Sequence, residues 1–161
     1  MDRHDSPAPI TIATFCVRTR SCSERLAAGS AQFARARLDC IGLFGHLRGT
    51  GPILSYVLRA ADVQAAVLNS GGYPGSLSAE VNAPLLILHG TADNPADGGV
   101  ELTNVQRARG FEQPLRITGK DVEAVYYDGG QHNDIFTNPT QYKDPRRAPM
   151  RFARATCASR K

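Results

Sequence analysis

The chain has 161 residues, enough for one domain and hardly for two. Hydrophobic residues make up 42% and charged residues 21%, which argues against wholesale disorder and against a collagen, coiled-coil or disulfide-scaffold composition. The formal charge is +4, but six of the 19 basic side chains and no acid fall in residues 146–161, leaving 13 basic against 15 acidic elsewhere, or −2.

The basic balance therefore belongs to a C-terminal tail and not to the domain. Such a tail attracts nucleic acid or an anionic membrane surface. No aromatic platform or nucleic-acid motif accompanies it, which argues against a nucleic-acid partner. The longest apolar stretches, such as residues 84–88, are far too short to span a bilayer. Residues 10–17 are apolar but lack a small-residue cleavage pattern, so no signal peptide is expected. Cys16, Cys22, Cys40 and Cys157 form no CxxC and have no histidine at zinc-like spacing. Reduced thiols in a cytoplasmic protein, with no metal and no cofactor, are the expectation.

In chain order, residues 1–9 read as a loose leader. Residues 10–17 carry strand formers (Ile10, Ile12, Phe15, Val17). Residues 23–37 read as a helix with Ser23 as N-cap, weakened by Gly29. Residues 40–44 (CIGLF) predict a short buried strand, residues 50–61 a helix, and residues 63–68 a second strand closed by the loop 69–76. Residues 84–89 (PLLILH) form an unbroken apolar run, as in a parallel strand buried on both faces. A helix over 101–115, a strand over 122–127, a loop over 128–133 and a weak helix over 141–155 complete the series. Strands alternating with helices predict an α/β fold with a mostly parallel sheet flanked by helices. The organisation expected is a poorly matching segment 1–37, a core 38–145 and the basic tail 146–161.

In open α/β sheets, sites collect beyond the carboxyl ends of the strands. Three such ends are chemically loaded here: Gly45-His46-Leu47-Arg48-Gly49, His89-Gly90-Thr91-Ala92-Asp93 and Gly129-Gly130-Gln131-His132-Asn133. Together, and in this order, they resemble the α/β-hydrolase family, in particular its dienelactone hydrolase-like and prolyl-oligopeptidase-like branches. The resemblance covers roughly residues 38–155, the C-terminal half of a usual catalytic domain. Gly45-x-x-x-Gly49 matches the frame of the nucleophile elbow, and the family order of nucleophile, acid and base is kept. A truncated α/β-hydrolase core is the fold this implies.

The resemblance implies acyl transfer on carboxylic esters or related acyl bonds. In that chemistry a nucleophile attacks the acyl carbon, an imidazole takes its proton, and a carboxylate fixes the imidazole's tautomer. By position, Asp93 is the orienting acid, His132 the general base, and the backbone N–H of Arg48 an oxyanion donor. The nucleophile position holds Leu47, which has neither a nucleophilic atom nor a proton to give. Loss of the nucleophile costs about 10⁶-fold in the serine-protease example. Thr50 should point elsewhere, Cys40 lies roughly 20 Å down the strand, and His132 alone supports only slow esterolysis. The expectation is an ester or acyl hydrolase lineage impaired at Leu47. A ligand-binding pseudoenzyme or truncated remnant is the alternative, and an interaction module using the basic tail is a third reading.

The bland readings have their own expectations. Leu47 becomes an apolar plug packing the vacated pocket, and the elbow glycines let helix and strand approach closely. His46 shapes the elbow, and His89 is a hydrogen-bonded structural residue. Asp97 and Asp134 fit the acid role less well than Asp93. Tyr73 either walls the cleft or covers the core. Only about 40 residues precede the elbow, so the 40–44 strand should have an open edge that invites pairing, and the expectation is a homodimer, a poorly stable monomer or a truncated product.

Overall fold

The structure is a computed structural model and describes residues 11–13, 41–59, 63–73, 80–138 and 152. Five strands form one sheet in sequence order: β1 (Thr11–Ala13), β2 (Ile41–His46), β3 (Ala65–Asn69), β4 (Leu85–Gly90) and β5 (Val122–Tyr127). Every neighbouring pair is parallel. Helix α1 (Thr50–Val57) links β2 to β3, α2 (Val105–Ile117) links β4 to β5, and the single turn α3 (Asp134–Thr137) follows β5.

The residue pattern accounts for this layering. All six residues of β4 are buried, as are all five of β3, because both strands lie inside the sheet and are covered on both faces. One face packs Ile41, Leu43, Leu68, Leu85 and Ile87 against α1 and α2. Helix α2 buries Val105, Ala108, Phe111 and Leu115, a stripe at helical spacing. Phe111 is fully buried, and its truncation to alanine should cost about 3–5 kcal/mol. The opposite face packs Val67, Leu86 and Leu88 with Phe44, Val125, Tyr127, Ile135 and Phe152.

The predicted segments shift at their ends for local reasons. The strand expected over 40–44 continues through Gly45 and His46, which pair with Leu68 and Asn69 of β3. The helix expected over 50–61 ends at Val57. The helix expected over 101–115 divides at Asn104. A 3₁₀ turn (Glu101–Thr103) precedes it, and the Asn104 side chain accepts from the Gln106 N–H at 3.0 Å to start α2. That helix stops where Gly119 takes φ 70°, a left-handed position that suits glycine. The strand over 122–127 falls where expected.

The open edge expected on β2 is corrected. β1 pairs with it over Thr11↔Ile41, Ile12↔Gly42 and Ala13↔Leu43. The helix expected over 23–37, that expected over 141–155 apart from Phe152, Cys40, and the basic side chains of the tail lie outside the described residues. No helix among the described residues is long and apolar enough to cross a membrane.

Candidate active site

The three loaded strand ends meet at one rim of the sheet. After His46 the chain turns through a short 3₁₀ segment (Leu47–Gly49) straight into α1. Leu47 sits at φ 52°, in the left-handed region that a non-glycine residue enters only under strain. The Thr50 hydroxyl donates to the Leu47 carbonyl at 2.8 Å, which ties the turn closed. Thr50 is buried and its hydroxyl is committed to that bond.

The elbow glycines differ in role. A β-carbon on Gly45 would stand 2.7 Å from the Gly49 carbonyl oxygen and from Ile53 Cδ1, so glycine is required for helix and strand to approach there. A β-carbon on Gly49 would meet nothing within 4 Å, so the close-approach expectation fails at that position. Leu47 is also not the buried plug expected: it stays half-buried at the turn. Arg48, the residue whose N–H is the expected oxyanion donor, is exposed beside it.

Asp93 and His132 are brought together. His132 Nδ1 lies 2.8 Å from Asp93 Oδ2. Asp93 is buried, and its other oxygen accepts the Thr103 hydroxyl at 2.9 Å. Burial acts to raise the Asp93 carboxyl. Hydrogen bonds from His89, His132 and Thr103, with the charge of His132, outweigh burial and hold the group below the usual carboxylate range. With Nδ1 donating to the carboxylate, the basic lone pair of His132 is on Nε2. That atom is itself buried and has no hydrogen-bond partner.

Backbone bonds hold the acid and histidine loops in register. The Thr91 N–H donates to the Tyr127 carbonyl and the Ala92 N–H to the Gly130 carbonyl, both at 2.9 Å. The Gly129 N–H donates to the Thr91 hydroxyl at 2.8 Å. Gly129 takes φ 63°, which lets the chain leave β5 sharply.

His46 does more than shape the elbow. Its ring lies 4.9 Å from the His132 ring, tilted by 37°, and meets the Phe136 ring edge-on at the same distance. Asn69 Nδ2 donates to His46 Nδ1 at 2.8 Å, so His46 carries its proton on Nε2 and donates it to Asn133 Oδ1 at 3.2 Å. Burial lowers the His46 imidazole, as does the charge of His132. Hydrogen bonds to Asn133 and Asn69 and the charge of Asp93 only partly oppose them.

The remaining candidates separate cleanly. His89 is buried and bonded as expected, with Nε2 2.7 Å from the Thr103 carbonyl oxygen, but it also lies 3.2 Å from Asp93 Oδ2. Tyr73 covers the core and is no cleft wall: it is buried, stacks on Phe111 at 5.4 Å and donates to the Leu68 carbonyl. Asp97 accepts from Asn94, and Asp134 accepts the Gln131 N–H. The site residues missed from sequence are Asn69, Thr103, Asn133 and Phe136. Asn133 had a signal, its place beside His132. Thr103 had none, since it sits in a stretch that reads as plain helix. Among the described residues, no group of three or more His, Cys, Asp or Glu is placed to hold a metal ion.

No family model matches the sequence, and no curated protein matches it. Solved structures do match. A Klebsiella pneumoniae protein named as a dienelactone hydrolase is 18% identical with a TM-score of 0.58, over 84% of this chain and 58% of that one. A dienelactone hydrolase-like promiscuous phosphotriesterase from metagenomic libraries is 17% identical with a TM-score of 0.60, over 81% and 58%. The acylaminoacyl peptidase of Pyrococcus horikoshii is 16% identical with a TM-score of 0.62, over 80% and 25%. The chain thus spans little more than half the length of the shorter relatives. These likenesses give it the α/β-hydrolase fold, with dienelactone hydrolase-like and acyl-peptidase structures as its neighbours.

Proposed function

We propose that this α/β-hydrolase-fold chain is an acyl-hydrolase scaffold that keeps its acid and base but has lost its nucleophile. The lineage chemistry is hydrolysis of carboxylic esters or related acyl bonds in a small-molecule substrate. The observation that carries the proposal is one juxtaposition. A buried carboxylate holds His132 Nδ1 at 2.8 Å, while the elbow position, still at φ 52°, is filled by Leu47. A strained left-handed turn is tolerated where it once exposed a nucleophile, and a leucine draws no benefit from it.

In the intact reaction an elbow hydroxyl would lose its proton to His132 Nε2 as it attacks the acyl carbon. The imidazolium would then protonate the leaving group, and water activated by His132 would release the acyl chain. Leu47 removes the first of these steps. The unpartnered, buried Nε2 favours a second reading, binding without turnover, in which a ligand hydroxyl or amide N–H satisfies that nitrogen.

The test is hydrolysis of p-nitrophenyl acetate by the protein and by Leu47→Ser, each with and without His132→Ala. Turnover by Leu47→Ser alone, abolished by His132→Ala, is the expected result. Rapid turnover by the unaltered chain would reveal another nucleophile and overturn the proposal. A folded Leu47→Ser protein without turnover would leave the binding reading as the better one.

A further inference from the structure

We propose that His89 is a positioning residue for the base: its Nε2–H, bonded to the Thr103 carbonyl oxygen, also faces the Asp93 oxygen that takes the Nδ1–H of His132, so one buried carboxylate oxygen is approached by two imidazoles. The inference rests on the reading of Asp93 and His132 as an acid–base pair, and it adds a third member.

The geometry fixes which nitrogen of His89 carries the proton. Its Nε2 lies 2.7 Å from the Thr103 carbonyl oxygen and 3.2 Å from Asp93 Oδ2. Both are acceptors, so only an N–H at Nε2 satisfies them. Nδ1 is buried with no hydrogen-bond partner, and a proton placed there would be stranded. The ring is held in place by Tyr73, 5.9 Å away, which in turn stacks on Phe111. On the carboxylate, Oδ1 takes the Thr103 hydroxyl, and Oδ2 takes the His132 N–H at 2.8 Å with His89 Nε2 in secondary contact at 3.2 Å. A carboxylate oxygen has lone pairs for both.

The consequence concerns His132. Negative charge on Oδ2 strengthens the bond it accepts from His132 Nδ1–H, and a second N–H facing that oxygen draws part of the charge away. His89 therefore tempers that bond while it fixes the carboxylate plane. The other titratable groups around His132 are His46 from the end of β2 and Asp134 in the following turn, whose carboxylate takes the Gln131 N–H.

The test is the NMR resonance of the His132 Nδ1–H proton, which is tractable because the chain has four histidines. His89→Leu removes the donor, and His89→Gln offers a side-chain N–H in its place. The expected result is a His132 Nδ1–H resonance displaced downfield in His89→Leu, as the shared oxygen faces one donor fewer and its bond to His132 strengthens, and restored toward the original in His89→Gln. No change in either variant, or the same change in both, overturns the proposal. If His89→Leu does not fold, the ring ¹⁵N signals of the unaltered protein decide: a proton on His89 Nε2 supports the proposal, and one on Nδ1 alone overturns it. None of these readouts uses ester hydrolysis, so a silent Leu47→Ser protein would count against the proposed function and not against this assignment.

Discussion

Gly90 passes beneath Gly130 so closely that a β-carbon on Gly90 would stand 2.1 Å from the Gly130 carbonyl oxygen and 2.4 Å from its carbonyl carbon. The obstacle is backbone and cannot swing aside. This contact seats the histidine loop on the end of β4, three residues from Asp93 and two from His132. Gly90→Ala should therefore destabilise the fold by about 1–3 kcal/mol, the usual cost of overpacking, and lengthen the Asp93–His132 bond. Gly49→Ala meets nothing within 4 Å and sits at an ordinary φ of −67°. It should instead stabilise by about 0.4–1 kcal/mol by restricting the unfolded chain. Urea unfolding of the two variants checks both signs, and a stable Gly90→Ala protein would show that the loop relaxes more easily than the contact implies.

Leu47 and Ser70 are the non-glycine residues with positive φ among those described, at 52° and 43°, and each follows the end of one of two adjacent strands. At Leu47 the backbone decides what the position accepts. Leu47→Ile keeps the volume but adds a β-branch, which the left-handed region tolerates least, and should cost about 1–2 kcal/mol. Leu47→Asn loses apolar contact but suits that region, and should come out more stable than Leu47→Ile. Thermal or urea unfolding ranks them. The reverse order would mean that side-chain packing, and not φ, governs the elbow.

Much of this was readable from the residues. The run Leu85–Leu88 announced a strand buried on both faces, and the motifs drew attention to Gly45, where helix and strand approach closely, and to Asp93 and His132, which lie in hydrogen-bond contact. What the sequence hid were contacts made across the fold. Thr103 reaches Asp93 from ten residues away, and Asn69 reaches His46 from the next strand. Neither partner has a local pattern that points to the other. The short β1 falls inside the stretch 10–17 whose residues favour a strand, but its pairing with Ile41–Leu43 was not legible and corrects the open edge expected there. That a leucine stands between Gly45 and Gly49 was legible, but its left-handed backbone was not, because composition carries no φ.

His46 gives the fold a pH dependence near neutrality. Burial, then the charge of His132, lowers its imidazole below the ordinary value of 6.5. The unfolded chain therefore binds the proton more readily. The stability tied to neutral His46 is complete above about 6.5 and is lost as pH falls through the lowered value in the folded protein. Protonation would also place an N–H on Nδ1, facing the Asn69 amide donor. Urea midpoints at pH 5 and pH 7.5 should fall less between the two conditions in His46→Gln than in the unaltered chain. An equal fall in both would assign the loss to other groups.

Asp93 acts at lower pH and in the same direction. Its carboxyl is held below the usual carboxylate range, because three hydrogen-bond donors and the charge of His132 overcome the burial that opposes them. A depressed folded value means that the unfolded chain takes up the proton first. The contribution of Asp93 to stability is then whole above the ordinary carboxylate value of about 3.9 and disappears as pH falls through the depressed one. Asp93→Asn removes the titration and offers an amide N–H2 or carbonyl where two imidazoles and a hydroxyl expect only acceptors. At pH 7 the variant should be clearly less stable than the unaltered chain, and His132 should lose the tautomer that leaves Nε2 basic. The stability gap should narrow as pH is lowered below about 4. A gap that stays constant from pH 7 to pH 2.5 in urea unfolding would mean that the asparagine simply misfits, and that the ionised state of Asp93 adds nothing to the fold.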